Sequence, residues 1–187
     1  SIKLANKIKD ELGLAADFIC CNIYELKEHL DKKESFDIVY TSQGVLCWLK
    51  DLNVWAELIS YYLKPGGIFY IMEGHPFSMV FNDEKPGTLE VVYPYFHSQE
   101  PVKWDDNYPD YSDDSYVPQN PTYEWTWSLS DIINALINAG LTVLDLNEYD
   151  KLFYKAFPGM VQDEEGWWIL PKYRDKVPLT FTLKCRK

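Results

Sequence analysis

"FDIVYTSQGVLCWLKDLNVWAELISYYLKPGGIFYI", Phe36 to Ile71, decides how the rest of the chain is read. "FDIVYTS" (Phe36–Ser42) is apolar without a break until Thr41. Strands buried on both faces look like this, and they are usually parallel. From Asp51 to Leu63, the side chains Leu52, Trp55, Ala56, Ile59 and Leu63 fall on one helical stripe. Pro65 cannot extend that helix, and Gly66-Gly67 permits a sharp reversal. "IFYIM" (Ile68–Met72) follows at once as a second strand. Strand, helix and strand in this order are the repeating unit of an α/β sheet.

Upstream, Ala5, Ile8 and Leu12 recur at helical spacing, with Gly13 as the stop. "DFICCNI" supplies a third strand over Phe18–Asn22, and Tyr24 to Leu30 is a polar helical stretch. The opening "SIKLANKIKDELG" reads as a helix already under way, so further residues are expected before Ser1. Downstream, residues 74–127 break the rhythm and are rich in Tyr, Trp, Pro and Asp. Within them "TLEVVYPYF" and "TYEWTW" can pair as an antiparallel ribbon. Alternation puts Tyr123, Trp125 and Trp127 on one face and Thr122, Glu124 and Thr126 on the other. "WDDNYPDYSDDS" reads as a solvated acidic loop without the central glycine and closing glutamate of a calcium loop. "SLSDIINALINAG" restores a helix, with a capping box at Ser128 and Asp131 and a cap at Gly140. "LTVLDLNEY" and the alternating "PLTFTLKCR" complete the strands. The expectation is one α/β domain over residues 1–187, with a lid-like insertion at 74–127 and Phe18–Asn22, Phe36–Tyr40 and Ile68–Met72 as parallel strands.

The chain has 187 residues, 47% of them apolar, enough for a substantial core. No apolar run has the length of a membrane span. Its net charge is −11 with scattered basic residues, which argues against a nucleic-acid backbone as partner. Cys20, Cys21, Cys47 and Cys185 contain no C-x-x-C pair, and the three histidines lack zinc-like spacing, so no metal is expected. Reduced core thiols and no secretion signal point to the cytoplasm.

In open α/β sheets, ligands bind beyond the carboxyl ends of the parallel strands. Three such ends can be read here: Asn22-Ile23, Thr41-Ser42-Gln43 and Glu73-Gly74-His75. The order of motifs resembles class I S-adenosylmethionine-dependent methyltransferases. There an F-D-x-V strand is followed by a polar turn, a leucine-rich helix, L-K-P-G-G and a strand. "ADFICCNI", "SLSDIINALINAGLTVLDLNEY" and "PLTFTLKCRK" resemble that family's preceding strand, later helix and strand, and final antiparallel strand. The resemblance implies a three-layer Rossmann-like sheet, S-adenosylmethionine as cofactor and a small-molecule methyl acceptor. The family's G-x-G-x-G turn and the ribose-binding acidic residue have no counterpart in these residues. The implied sheet is therefore N-terminally incomplete, and cofactor binding by these 187 residues alone is expected to be weak or absent.

The resemblance assigns Asn22 and Ile23 to the adenine edge, and Thr41, Ser42 and Gln43 to the turn under the methionine and sulfonium. Trp48 falls beside the pocket. His75 and Glu73 are the candidate base and its partner, needed only if the acceptor must lose a proton. Each also has a plainer reading as a satisfied turn or core residue. Tyr93, Tyr95, Trp125 and Trp127 are candidates for the acceptor pocket, with Phe96, Trp104 and Tyr123 beside them; a satellite core is the alternative. Trp167 and Trp168 read as a second cover over the same mouth. Two other classes stay open: a nicotinamide-dependent oxidoreductase fragment, and a non-catalytic protein dimerising through an exposed sheet edge. The unpaired edge of an incomplete sheet also leads one to expect a homo-oligomer.

Overall fold

In the computed structural model the structure describes residues 2–41, 43–83, 85–104 and 120–187. Helix α1 spans Ile2–Leu12 and a short α2 spans Leu26–His29; strand β1 is Phe36–Thr41, α3 is Leu52–Tyr62 and β2 is Leu63–Gly74. The insertion contributes β3 (Val102–Trp104) and β4 (Thr122–Glu124), followed by α4 (Leu129–Asn138) and β5 (Thr142–Tyr149). Short strands β6 (Lys151–Leu152), β7 (Val161–Gln162) and β8 (Trp168–Ile169) precede the last strand, β9 (Thr180–Arg186).

The central sheet has the order β1-β2-β9-β5. β1 and β2 run parallel, with Ile38 opposite Ile68 and Thr41 opposite Ile71, while β9 is antiparallel to both β2 and β5. The parallel pair read from Phe36–Tyr40 and Ile68–Met72 is therefore present. α3 starts where Asp51 caps the amides of Asn53 and Val54. At Gly67 a side chain would meet the Lys64 carbonyl at 2.9 Å and the Asp37 carbonyl at 3.2 Å, so the reversal after α3 requires glycine there. α4 starts at the expected capping box of Ser128 and Asp131.

α3 and α4 cover one face of the sheet. Trp55, Ile59, Ile132 and Leu136 pack there on Phe69, Ile71, Phe181 and Leu183. A second cluster, with Val80, Phe81, Leu152, Phe157, Met160 and Leu179, sits under the insertion and the β6–β8 ribbon.

The third layer does not form among the described residues. On the opposite face Ile38 is 65% exposed and Tyr40 also lies open. α1 buries no residue. The expected strand at Phe18–Asn22 is likewise missing: residues 14–22 join no sheet, and Phe18 and Ile19 are exposed. Strands are stabilised by pairing and by a covered face, and this segment has neither. Residues 22–35 are held differently. The Tyr24 hydroxyl accepts from the Asp51 amide, and the Tyr62 hydroxyl donates to the Leu30 carbonyl.

The insertion pairs differently from expectation. β4 takes Val102–Trp104 as its partner, and "TLEVVYPYF" forms no strand beyond a single bridge of Val91 to Phe81. The acidic loop expected within 104–115 lies outside the described residues after Trp104.

Candidate functional site

A cavity of about 860 Å³ opens beyond the carboxyl ends of β1 and β2. Its floor is the loop Gln43–Trp48 with Glu73 and Gly74 at the end of β2. The insertion roofs it with Tyr93, Val102, Trp104, Glu124, Trp125 and Trp127. The segment Phe153–Phe157 closes the remaining side. The size suits a small organic molecule.

The floor is shaped by Glu73. Its Oε1 accepts from the Gly44 amide at 2.5 Å and the Gly74 amide at 3.1 Å, and its Oε2 accepts from the Val45 amide at 2.9 Å. Three backbone donors satisfy this buried carboxylate and fix the turn after β1. The roof is tied to the same turn: the Trp125 amide donates to the Cys47 carbonyl at 2.9 Å, and the Trp127 indole donates to the Leu49 carbonyl at 2.8 Å. His97 stacks on Trp127 at 3.7 Å between ring centroids.

His75 stands apart from the cavity lining and is only 3% exposed. Its Nδ1 accepts from the Phe77 amide at 3.0 Å, and its Nε2 lies 2.7 Å from Oε1 of Glu148. The free proton therefore sits on Nε2 in the neutral ring, facing Glu148. Burial pushes the His75 pKa down, and the Glu148 carboxylate opposes that shift.

The other sequence-derived residues divide. Gln43, Trp48, Tyr93, Trp125 and Trp127 meet at the cavity. Tyr95 does not; it packs on the second cluster, and its hydroxyl accepts from the Leu129 amide. Thr41 turns into the helical layer, where its hydroxyl accepts from the Trp55 indole. Asn22 caps its own turn by accepting from the Tyr24 amide, and Ile23 is exposed, so neither reaches the cavity. Ser42 lies outside the described residues. Trp167 and Trp168 do not line the cavity; Phe153–Phe157 takes the place expected for them.

Sequence reading missed Cys47, Glu124 and Tyr154 in the lining. Glu124 is the instructive case. In the β3–β4 pair Val102 stands opposite Glu124, so Val102, Trp104 and Glu124 share the inner face, while Tyr123 points out and is exposed. The strand ends at Glu124, which frees Trp125 and Trp127 from its alternation. Burial raises the Glu124 pKa, partly offset by the Trp104 indole N–H that faces it. Burial, then the Glu124 and Glu73 charges, push Cys47 up to about 12. Tyr154 is pushed up to about 12, chiefly by burial, with Cys47, Glu73, Asp83 and Glu124 adding to it. The thiol and the phenol are neutral at physiological pH, and the lining also holds Glu73, Asp83 and Glu124 with Lys155. Among the described residues no His/Cys/Asp/Glu group has the arrangement of a metal site.

Residues 1–71 match the family described as a methyltransferase domain. No curated protein matches the sequence. Solved structures share the fold. A structure from Listeria monocytogenes carrying the name S-adenosylmethionine-dependent methyltransferase is 13% identical, with a TM-score of 0.62, over 100% of this chain and 76% of that one. An S-adenosylmethionine-dependent methyltransferase from Clostridium acetobutylicum is 15% identical, with a TM-score of 0.58, over 99% of this chain and 70% of that one. Geranyl diphosphate C-methyltransferase from Streptomyces coelicolor, solved with Mg2+, geranyl diphosphate and S-adenosyl-L-homocysteine, is 13% identical, with a TM-score of 0.53, over 98% of this chain and 58% of that one. The family match is confined to residues 1–71, and the fold is the one these S-adenosylmethionine-dependent methyltransferases share. No helix of the described residues is long and apolar enough to cross a membrane.

Proposed function

We propose that the protein transfers a methyl group from S-adenosylmethionine to a small-molecule acceptor held in the cavity beyond β1 and β2. The observation that carries this reading is the cavity itself, which lies at the strand ends where such sheets bind ligands and is walled by aromatic side chains. When bound, S-adenosylmethionine supplies a methyl carbon that the acceptor's lone pair takes as the carbon–sulfur bond breaks onto sulfur.

The residues present fit the sulfonium end of the cofactor. Gln43 and Trp48 stand at the floor, and aromatic faces beside carboxylates suit a cation. Glu73 acts as a positioning residue, because its oxygens are held by the turn it shapes. His75 enters the proposal the same way, with Nδ1 held by the Phe77 amide and Nε2 turned to Glu148, outside the cavity lining. The cavity walls then supply what transfer needs, namely proximity and line-up. Nothing in this scheme draws on nucleic acid or membrane.

The test is calorimetric titration with S-adenosyl-L-homocysteine on the full product of the gene. The reading expects saturable binding. A flat titration of the folded full product would overturn it. A second reading, self-association, is favoured by the outer edge of β1, which pairs with no strand among the described residues. Light scattering on the 187 residues is expected to give a dimer or larger; a clean monomer would contradict it.

A further inference from the structure

The roof of the cavity carries a carboxylate without a cation. Glu124 lies on the inner face of β3–β4, beside Val102 and Trp104. Among the described residues it forms no ion pair. The buried Trp104 indole N–H faces Glu124 without closing a hydrogen bond of full geometry. One carboxylate oxygen suffices for that N–H, and the other is available to a ligand. A half-buried carboxylate with no cation costs stability, and such a cost persists where a ligand removes it.

The surroundings select the sign of that ligand. Glu73 and Asp83 line the same cavity, though Glu73 is already held by three backbone amides. Lys155 is the cation of the lining, and its ammonium lies 5.6 Å from the centroid of the Trp168 ring, outside the ion pairs formed by the described residues. Cys47 and Tyr154 stay neutral and add no positive charge. The aromatic faces of Tyr93, Trp104 and Trp125 offer negative π density, which attracts cations.

We propose that the molecule held in this cavity carries an ammonium group that sits against Glu124 and the aromatic roof. The inference rests on the proposed function, since it names the charged group of the methyl acceptor; the methyl group goes to an atom with a lone pair, which for the nitrogen itself means after its proton has passed to the Glu124 carboxylate. A neutral alcohol would leave the carboxylate unpaired. A carboxylate ligand would meet like charge at Glu124, Glu73 and Asp83, with Lys155 alone among the described lining residues to oppose it.

The experiment reads binding by tryptophan fluorescence, without cofactor, on the full product of the gene at neutral pH. Phenethylamine, phenethyl alcohol and hydrocinnamate are the probes, alike in size and different in charge. The amine is expected to bind at least about tenfold more tightly than the alcohol, since a charge-assisted contact replaces a neutral one. Hydrocinnamate is expected to bind weakest. Glu124→Gln should shrink the amine preference to within about twofold, and Glu124→Asp should keep part of it. An alcohol or carboxylate that binds as well as the amine overturns the inference, as does an amine preference that survives in Glu124→Gln. If Glu124→Gln does not fold, the wild-type ranking alone decides. An amine preference in a protein that never binds S-adenosyl-L-homocysteine would sink the proposed function and leave this site standing. Cofactor binding with equal affinity for all three probes would do the reverse.

Discussion

α1 and α4 look alike as sequences and differ in what they cover. Each has an apolar stripe at helical spacing: Ala5, Ile8 and Leu12 in one, Ile132, Ala135 and Leu136 in the other. α4 buries its stripe against the sheet, next to α3. α1 buries nothing, and Leu12 is 67% exposed. Most helix stability in proteins comes from packing an apolar face, and short helices are marginal without it. An amphipathic pattern thus states a requirement for a partner; it does not supply one.

The widest gap between the two helices is expected in amide hydrogen exchange. In these 187 residues the amides of α4 should be protected at least about a thousandfold more than those of α1. Equal protection would show that α1 is packed, for instance on another copy. Core substitutions extend the contrast. Trp55 is 2% exposed, and Trp55→Ala should cost about 3–5 kcal/mol by chemical denaturation. Ile8→Ala, on the exposed helix, should stay within about 0.5 kcal/mol. A large loss at Ile8 would break the comparison.

Smaller effects follow from titratable groups buried in the packed half. The His75 pKa is lowered by burial, so the stability it contributes is present above the unfolded value of about 6.5 and is lost as pH falls below it. The melting temperature should fall on acidification through that window, and His75→Gln should flatten the fall. A slope unchanged by the substitution would mean that other groups, Glu148 among them, carry it. Glu124 has the opposite sign of effect. Its raised pKa favours the folded state below the unfolded carboxyl value, and that advantage is lost as pH rises through the folded value. Glu124→Gln should therefore raise the melting temperature at neutral pH by something on the order of 2 °C, with the gain vanishing in acid. A lower melting temperature at neutral pH would mean that the carboxylate is already paired.

The parallel pair, α3, α4 and the last two long strands were legible because each combines a period with a terminator: Asp51 and Ser128 at helix starts, Gly67 and Gly140 at reversals. Phe18–Asn22 carries a strand's composition, yet composition cannot say whether an edge is available to pair. Within the site, Trp48, Tyr93, Trp125 and Trp127 were legible as bulky side chains near strand ends or in the insertion. Glu124 was not, because its face depends on which segment β4 pairs with and on where the strand stops. His75 drew attention as a titratable group after a buried strand. Its contacts are with Phe77 and Glu148, one of them far away in the chain.

The most direct measurement is transfer of label from methyl-labelled S-adenosylmethionine by the full product of the gene to a panel of small amines, alcohols and carboxylates. Label is expected in an amine, reduced at least about tenfold in Trp125→Ala, whose side chain walls the cavity. Absence of label from every acceptor with folded protein, or transfer indifferent to Trp125→Ala, would contradict it.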